Sequence, residues 1–339
     1  MQHLLATLLD EDDALEGSLL SEAIHWYDRA AEQGMTDDWL RAEVLVLRTK
    51  RKGDVYNPFD RWRKAARNGN RTASKNLIVV KGGDAVHGAE EEEGILGYIQ
   101  YHAEDGFDLA QFYLGKCYDC SCLGLPQDYP LAFEWYLRAA RQGHADAQCY
   151  VGIFYSFGTG VESNDHEAVA WYKRAARQGH AQAQCNLGYS YEIGRGPLTA
   201  SMQEANRWYQ RSAMGGFPQA QFNLAQSYRN AKGLSKDDTM AAKWYACAAH
   251  SGLAAAQHRL GLCYEYGWGI ERNETVATSW YLAAAEQGHA EAQCCLANMY
   301  ETGTGTIEDK QLAIKYYSLA AKQGNERAAL RYLAIKQQR

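Results

Sequence analysis

The sequence predicts an all-α fold, a right-handed α-solenoid of about nine antiparallel helix-turn-helix repeats with a C-terminal capping helix. A glycine recurs along the chain with a period of mostly 36–37 residues, and a tryptophan usually stands eight residues before it. A fixed period of this length is typical of proteins that stack one supersecondary unit on the next. The recurring glycines are Gly34, Gly69, Gly106, Gly143, Gly179, Gly216, Gly252, Gly288 and Gly324.

The first helix of each unit, helix A, follows the recurring glycine. In the sixth unit Ala183, Leu187 and Tyr191 stand four residues apart, which places them on one face of a helix. Gly188 has no side chain, so we expect another helix to approach closely at that point. The helix is predicted to end at a Gly-x-Gly turn, which in this unit spans residues 194–196.

The second helix, helix B, has an Ala-x-x-Trp-Tyr-x-x-Ala-Ala core, for example around Trp171 and Tyr172. It is predicted to end at the next recurring glycine, a residue favoured just beyond a helix C-terminus. One helix pair cannot bury its apolar stripe alone, so stacked neighbours supply the core. We expect the tryptophans to be buried and, with the alanines, to join each unit to the next, and we expect Trp208→Ala to cost about 3–5 kcal/mol. Helix B is predicted to begin near the capping residues Asp128, Asp165, Asp238, Asn273 and Asp309.

The whole chain is predicted to be one solenoid domain with three parts. Residues 1–106 form degenerate repeats, residues 107–324 form regular repeats, and residues 325–339 form the capping helix. In the capping helix we expect Leu330 and Leu333 to face inward and the polar residues to face water, as the end of a solenoid requires.

The repeated pattern resembles that of a known family. It reads Ala-x-x-x-Leu-Gly-x-x-Tyr-x-x-Gly-x-Gly and then Asp-x-x-x-Ala-x-x-Trp-Tyr-x-x-Ala-Ala-x-x-Gly-His, most clearly between Leu109 and Gly324. This is similar to the Sel-one-like repeat (SLR), a relative of the tetratricopeptide repeat. Arg61 and Tyr98 depart from it at tryptophan positions, where we expect less regular stacking. The resemblance implies a scaffold or adaptor for other proteins, usually without catalysis.

The composition argues against some classes of binding partner and some cellular compartments. The formal net charge is −6, which argues against a nucleic-acid binder with a basic stripe. No run of about 18 apolar residues occurs, so no membrane insertion is expected. The N-terminus lacks the basic start and long apolar core of a signal peptide, and the nine cysteines cannot all pair internally. We therefore expect a cytoplasmic protein; a secreted or periplasmic protein whose leader has been removed is the alternative.

Some motifs look like cofactor or metal sites but fall on the repeat. The Gly-x-Gly turns end helices at the repeat spacing, without the preceding strand that a phosphate-binding loop needs. Cys117, Cys120 and Cys122 resemble half a zinc site, yet no second Cys or His pair at a fitting spacing stands nearby. We expect no metal and no cofactor.

Catalysis by a thiol is not expected either. Adjacent helices pack roughly 8–10 Å apart, too far for a Cys149–Cys185 disulfide or for a Cys294–His258 nucleophile–base pair. A thiol or hydrolytic enzyme is therefore a third hypothesis, after a cytoplasmic adaptor and an exported repeat protein that acts on a host or envelope partner. Three histidines also share one structural register, directly after the recurring glycine: His144, His180 and His289.

We expect function on the face of helix A that points away from helix B, which the tetratricopeptide resemblance places on the concave side. This face mixes aromatic and hydrogen-bonding side chains, as a groove for a protein or peptide segment does. The alternative is that its aromatic and cysteine side chains only fill gaps between repeats. The predicted partner-binding residues are Phe112, Lys116, Phe157, Tyr189, Glu192, Phe222, Gln226, Arg229, His258, Glu265, Tyr266, Asn298 and Glu301.

Overall fold

A computed structural model describes residues 89–337 of the chain. The predictions for residues 1–88, including the departure at Arg61, lie outside the described residues, as do the last two positions. Within the described residues the chain forms fourteen helices and no strand, so the all-α solenoid fold is confirmed. From Glu92 onward these residues form one compact unit. The predicted division of the whole chain into degenerate and regular repeats stays a prediction.

The helices come in pairs at the predicted period, and from α2 to α14 consecutive helices pack against each other. Most are 13 residues long. In chain order the helices are α1 (Ala89–Glu104), α2 (Asp108–Cys120), α3 (Tyr129–Arg141), α4 (Ala145–Phe157), α5 (Asp165–Arg177), α6 (Ala181–Ile193), α7 (Met202–Met214), α8 (Pro218–Asn230), α9 (Asp238–His250), α10 (Ala254–Tyr266), α11 (Glu274–Glu286), α12 (Ala290–Thr302), α13 (Lys310–Lys322) and α14 (Glu326–Gln337).

The even-numbered helices α2 to α12 are A helices, and the odd-numbered helices α3 to α13 are B helices. Side chains cap the B helices, with two shifts of one residue from the predicted positions. Asn164 caps α5 and Asp237 caps α9. Asp165 and Asp238 are instead the first helical residues, where a carboxylate still favours the positive end of the helix dipole. The caps predicted correctly are Asp128, Asn273 and Asp309.

The recurring glycine ends helix B as predicted. Gly143 follows the last residues of α3 with a φ of +100°, a backbone conformation that favours glycine. The backbone N–H of Gly143 donates to the carbonyl of Ala140 (3.1 Å), and that of His144 donates to Ala139 (3.2 Å). These two bonds satisfy carbonyls that the helix itself leaves unpaired.

The second glycine of each Gly-x-Gly turn makes a contact between repeats that the sequence analysis did not foresee. Gly269, with a φ of +70°, lies against the start of helix B of the preceding repeat. A Cβ atom there would stand 2.0 Å from the carbonyl oxygen of Asp238. The turn therefore needs glycine both for its conformation and for the close packing of neighbouring repeats.

The tyrosine of each Trp-Tyr pair lies deeper in the core than the tryptophan, although Trp135 and Trp171 are also buried. Tyr209 is fully buried, whereas Trp208 is half-buried. The ring of Tyr209 lies over Gly188, where an added Cβ would come within 2.8 Å of it. The expectation of a close helix approach at Gly188 is confirmed. The expectation of a buried tryptophan is confirmed for Trp135 and Trp171 and corrected for Trp208, because the ring of Tyr209 occupies the position between the two helices.

The capping helix α14 packs on α13, but its leucines point the other way from the prediction. Leu330 is 70% exposed and Leu333 is 54% exposed, so the inward placement of both is wrong. Ala328 is fully buried instead, and Tyr332 and Ile335 contact the last core cluster. The leucines stand at positions that the next helix pair covers in the preceding repeats, and no described helix follows α14.

Candidate functional site

We call the side of the A helices that contains the thirteen predicted residues the A face. Three aromatic side chains on it are open to solvent: Phe157 is 74% exposed, Tyr189 48% and Tyr266 56%. Phe157 and Tyr266 are the last residues of α4 and α10, and Tyr189 lies in α6 between them in sequence. Exposed aromatic rings in separate repeats are suitable anchors for a partner.

Two predicted residues, Phe112 and His258, are instead buried between repeats. Phe112 stacks on His144 with ring centroids 4.8 Å apart, and His258 lies 5.0 Å from the ring of His289. For these two residues the prediction of an open binding surface is corrected, since each ring packs against the cap of the next A helix. The cysteines in the same register are also buried: Cys149, Cys185 and Cys294.

Arg229 and Phe222 also make contacts within the fold. The guanidinium of Arg229 pairs with Asp238 at 2.9 Å and lies 4.0 Å above the ring of Trp268 in the next repeat. The ring of Phe222, which is half-buried, lies 5.7 Å from that of Tyr245. Substituting either residue would therefore change the packing of the repeats as well as the surface of the A face.

The acidic residues of the A face are held by the buried tyrosines of helix B. The hydroxyl of Tyr209 donates to Oε2 of Glu192 at 2.7 Å. Burial and this hydrogen bond raise the pKa of the Tyr209 hydroxyl, so it stays protonated and remains a donor. The same bond joins Tyr281 to Glu265 and Tyr317 to Glu301.

A groove of about 310 Å³ lies between α6 and α8. It brings together three of the predicted residues, Tyr189, Glu192 and Gln226. The remaining lining is largely amide and hydroxyl side chains, so the groove can form many hydrogen bonds. The other lining residues are Cys185, Asn186, Met202, Gln219, Asn223, Ser227 and Lys232.

The remaining two predicted residues, Lys116 and Asn298, are half-buried on α2 and α12. The ammonium of Lys116 lies 6.0 Å from the centre of the Phe112 ring and 5.9 Å from that of Tyr113. Neither residue lines the α6–α8 groove. The thirteen predicted residues are thus spread over six A helices, and the groove gathers three of them.

A ladder of buried glutamines is a structural feature that the sequence analysis missed. The side-chain N–H of Gln148 donates to the carbonyl of Ala140 in the preceding repeat at 3.1 Å, and its oxygen accepts from Gln178 at the end of helix B of its own repeat at 2.8 Å. The sequence contained the signal, because glutamine recurs five residues after the recurring glycine. The ladder glutamines are Gln111, Gln148, Gln184, Gln221, Gln257 and Gln293.

The histidines that follow the recurring glycine are N-caps of helix A. Nδ1 of His144 accepts from the backbone N–H of Ala147 at 3.2 Å, and His180 caps α6 in the same way. Nε2 of His180 lies 3.2 Å from Asp146, and this hydrogen bond is the main cause that lowers the pKa of the Asp146 carboxyl. The shared register therefore has a capping role.

One cysteine–histidine contact occurs, but at a different cysteine from the one considered in the sequence. Sγ of Cys295 lies 3.8 Å from Nε2 of His258. Burial raises the pKa of the Cys295 thiol to about 12 and lowers the pKa of His258 to about 3. Both groups are therefore neutral near pH 7, whereas an activated nucleophile needs a thiolate.

The described residues also show the state of the cysteines, of possible metal sites and of possible membrane spans. All nine cysteines lie in the described part of the chain, and all are free thiols. Burial is the main cause that raises the pKa of Cys117, which also bonds to Cys122. The described helices include no cluster of three metal-binding side chains and no segment long and apolar enough to span a membrane.

The repeats match a known family over most of the chain. The family model described as Sel1 repeat matches residues 16–35, 108–144, 145–180, 181–217, 218–253, 254–289 and 290–325. A search of curated proteins finds no match.

Among solved structures, the chain is similar to a Sel1 repeat protein from Oxalobacter formigenes, with 32% sequence identity and a TM-score of 0.61. That match covers 68% of this chain and 92% of the other. The chain is also similar to a protective antigen present in uropathogenic Escherichia coli strains that displays an SLR fold, with 27% identity and a TM-score of 0.58. This second match covers 84% of this chain and 68% of the other.

Proposed function

The chain belongs to the Sel1 repeat family, and on that basis we propose that it is a non-catalytic scaffold that binds a segment of a partner protein along the A face. Stacked helix pairs of this kind present extended surfaces and bind other proteins with them. The observation that favours this function most directly is the set of exposed aromatic rings on three of the A helices, Phe157 on α4, Tyr189 on α6 and Tyr266 on α10.

The groove between α6 and α8 adds polar groups beside these rings. Tyr189 belongs both to the exposed set and to the lining of the groove. Aromatic side chains supply contact area at low entropic cost, and the polar groups fix the orientation of a bound segment. The neutral Cys295–His258 pair offers no comparable support for a thiol enzyme.

The test removes the exposed rings together, as F157A/Y189A/Y266A. The matched control is M214A/I307A, which removes two apolar side chains that are 74% and 87% exposed outside the A face. Phe222 and Arg229 are left unchanged, because both take part in packing between or within repeats.

We expect the wild type and the control to capture the same partner from a lysate, and the triple variant to lose it while keeping its thermal midpoint. Binding is then repeated with the purified partner. Equal affinity of the folded triple variant for that partner would exclude the A-face aromatic residues as the binding surface.

A further inference from the structure

We propose that the α6–α8 groove binds the guanidinium of an arginine in an extended segment of the partner, with Glu192 as its counter-charge. This inference rests on the proposed function, because it names the chemistry of the segment that the A face binds. Two interfaces of this chain, at Glu192 and at Glu301, have equivalent positions in the repeat.

The last interface of the described repeats already contains such an arginine. At Glu301, the hydroxyl of Tyr317 donates to Oε2 at 2.8 Å. Arg331 of α14 donates to both oxygens of the same carboxylate, from Nε to Oε2 at 3.3 Å and from Nη2 to Oε1. A tyrosine-held carboxylate of this fold thus accepts a two-pronged guanidinium, the geometry in which arginine binds carboxylates most strongly.

The groove has the same arrangement of a glutamate and a tyrosine, but an asparagine stands where the last interface has the arginine. Glu192, Tyr209 and Asn223 stand three repeats before Glu301, Tyr317 and Arg331, respectively.

Tyr209 donates to Glu192 and also bonds to Asn223, as Tyr317 bonds to Glu301 and Arg331. The side chain of Asn223 is shorter than that of Arg331 and uncharged. Within the described part of the chain, no ion pair includes Glu192.

At neighbouring interfaces, another side chain of the protein occupies the position beside the carboxylate or beside the residue that replaces it. Glu265 bonds to the hydroxyls of both Tyr281 and Tyr266. Where Ser156 stands in place of the carboxylate, Nη1 of Arg195 donates to its hydroxyl at 2.6 Å. The position beside Glu192 is therefore not filled as it is at Glu265 and Ser156. Asp119, which accepts from Tyr136 and also belongs to no ion pair of the described residues, does not line the groove.

The charges of the groove favour a cation. Glu192 is half-buried and fixed by Tyr209, and its negative charge contributes to raising the pKa of the neighbouring Cys185 thiol to about 12, after burial. Lys232 is the other charged lining residue, but it is exposed in the loop after α8, where solvent screens its charge. The guanidinium of Arg195 already lies 5.9 Å from the centre of the Tyr189 ring, so a partner's arginine would be held by Glu192 and not by this ring.

The amide lining favours an extended segment. Asn186, Gln219 and Gln226 each offer one hydrogen-bond acceptor and two donors. A backbone in an extended conformation leaves its N–H and C=O groups free to pair with such side chains. The groove thus suits a stretch of polypeptide with one arginine pointing toward Glu192.

The test measures binding of an unbiased positional-scanning library of short synthetic peptides to the full chain and to three variants. E192Q removes the charge and keeps the acceptor for Tyr209. N223R places a guanidinium beside Glu192, as Arg331 is placed beside Glu301. E301Q is the matched control, because its carboxylate lies outside the groove and is already paired.

We expect arginine to be selected at one peptide position by the wild type and by E301Q. Affinity for the selected peptide should fall by about tenfold or more in E192Q, the effect of losing one charged hydrogen-bonded pair. N223R should lose affinity similarly, while its thermal midpoint stays at or above that of the wild type.

Two results would overturn the inference. One is peptide binding without arginine selection, or with E192Q unaffected; the other is no peptide binding to the wild type. Neither result alone refutes the scaffold function, which the capture experiment with the aromatic triple variant tests separately.

Discussion

A single glutamine of helix A joins its own helix to the B helices on either side of it in the chain. Gln257 donates to the carbonyl of Ala249 in the preceding B helix at 3.3 Å and accepts from Gln287, at the end of the B helix of its own repeat, at 2.8 Å. The equivalent Gln221 makes the first bond, but its oxygen has no partner and is buried. The reason is that Ser251 stands where Gln287 stands in the next repeat. A buried acceptor without a partner costs stability.

The first prediction concerns a variant that supplies the missing hydrogen-bond donor. Ser251→Gln should raise the free energy of unfolding by about 1 kcal/mol, because it supplies the missing donor to Gln221. Ser251 has nearly the same backbone conformation as Gln287, so the new side chain can adopt the same path. Urea denaturation measures the change. Ser251→Ala is the control, and a gain in that variant as large as in Ser251→Gln would contradict the explanation.

The second prediction concerns acid. Burial, followed by the nearby charges of His289 and Arg259, lowers the pKa of His258 to about 3. The unfolded chain binds this proton below about pH 6.5 and the folded chain does not, so stability falls as the pH drops from 6.5 toward 3. The expected slope is up to about 1.4 kcal/mol per pH unit for this one group.

His258→Phe should remove this slope, since Phe112 fills the same register in the fourth repeat and stacks on His144 in the same way. The measurement is the urea midpoint as a function of pH. The exposed His166 provides the control, because His166→Phe should retain the wild-type slope. A His258→Phe variant with an unchanged pH dependence would show that other groups cause the acid sensitivity.

At the scale of the helix pair, the Gly-x-Gly turn both ends helix A and contacts the preceding repeat. We predict that Gly269→Ala costs more stability than Gly288→Ala. Both positions have positive φ values, +70° and +86°, so both variants have the strain of about 1–2 kcal/mol of an alanine in that region. Only at Gly269 would the new Cβ clash with backbone, that of Asp238.

The difference between the two variants isolates the contact between repeats. Thermal unfolding of both proteins under one set of conditions provides the comparison. Equal losses of stability would mean that the turn matters for its conformation alone.

Helix A packs against the next repeat and also carries the residues expected to bind a partner. Its sequence alone therefore does not show which of its side chains are exposed. Phe112 and Phe157 both belong to the strip expected to face a partner. The first is buried against the next repeat, and the second is open to solvent. Whether a side chain on this strip is covered depends on the neighbouring repeat, here on the ring of His144 over Phe112. Periodicity places a residue on a face but does not reveal its neighbours.

At the scale of the molecule, stability is a sum over helix pairs and their contacts with neighbours. We predict that Tyr209→Ala costs about 3–5 kcal/mol, as for other large aromatic residues in a core. Trp208→Ala should cost less, because its ring is half-exposed and lies beside the guanidinium of Arg211, whose Cζ is 4.6 Å from the ring centre.

Hydrogen exchange should locate the damage. In Tyr209→Ala we expect faster exchange in α6, α7 and α8, with α11 to α13 close to wild type, since each pair contacts mainly its neighbours. Trp208→Ala is the matched comparison on the same helix. Uniformly faster exchange along the described repeats would mean that the array unfolds as one cooperative unit.

The sequence alone determined the period, the helix pairs, most helix ends and the family. These features depend on local chemistry: glycine at positive φ, capping side chains, and apolar residues at helical spacing. The tertiary structure decided which ring of each Trp-Tyr pair lies deeper, that Leu330 and Leu333 are exposed, and that Glu192 lacks the arginine that Glu301 has. Each of these outcomes depends on side chains about one repeat away, and such contacts form only when the helices stack.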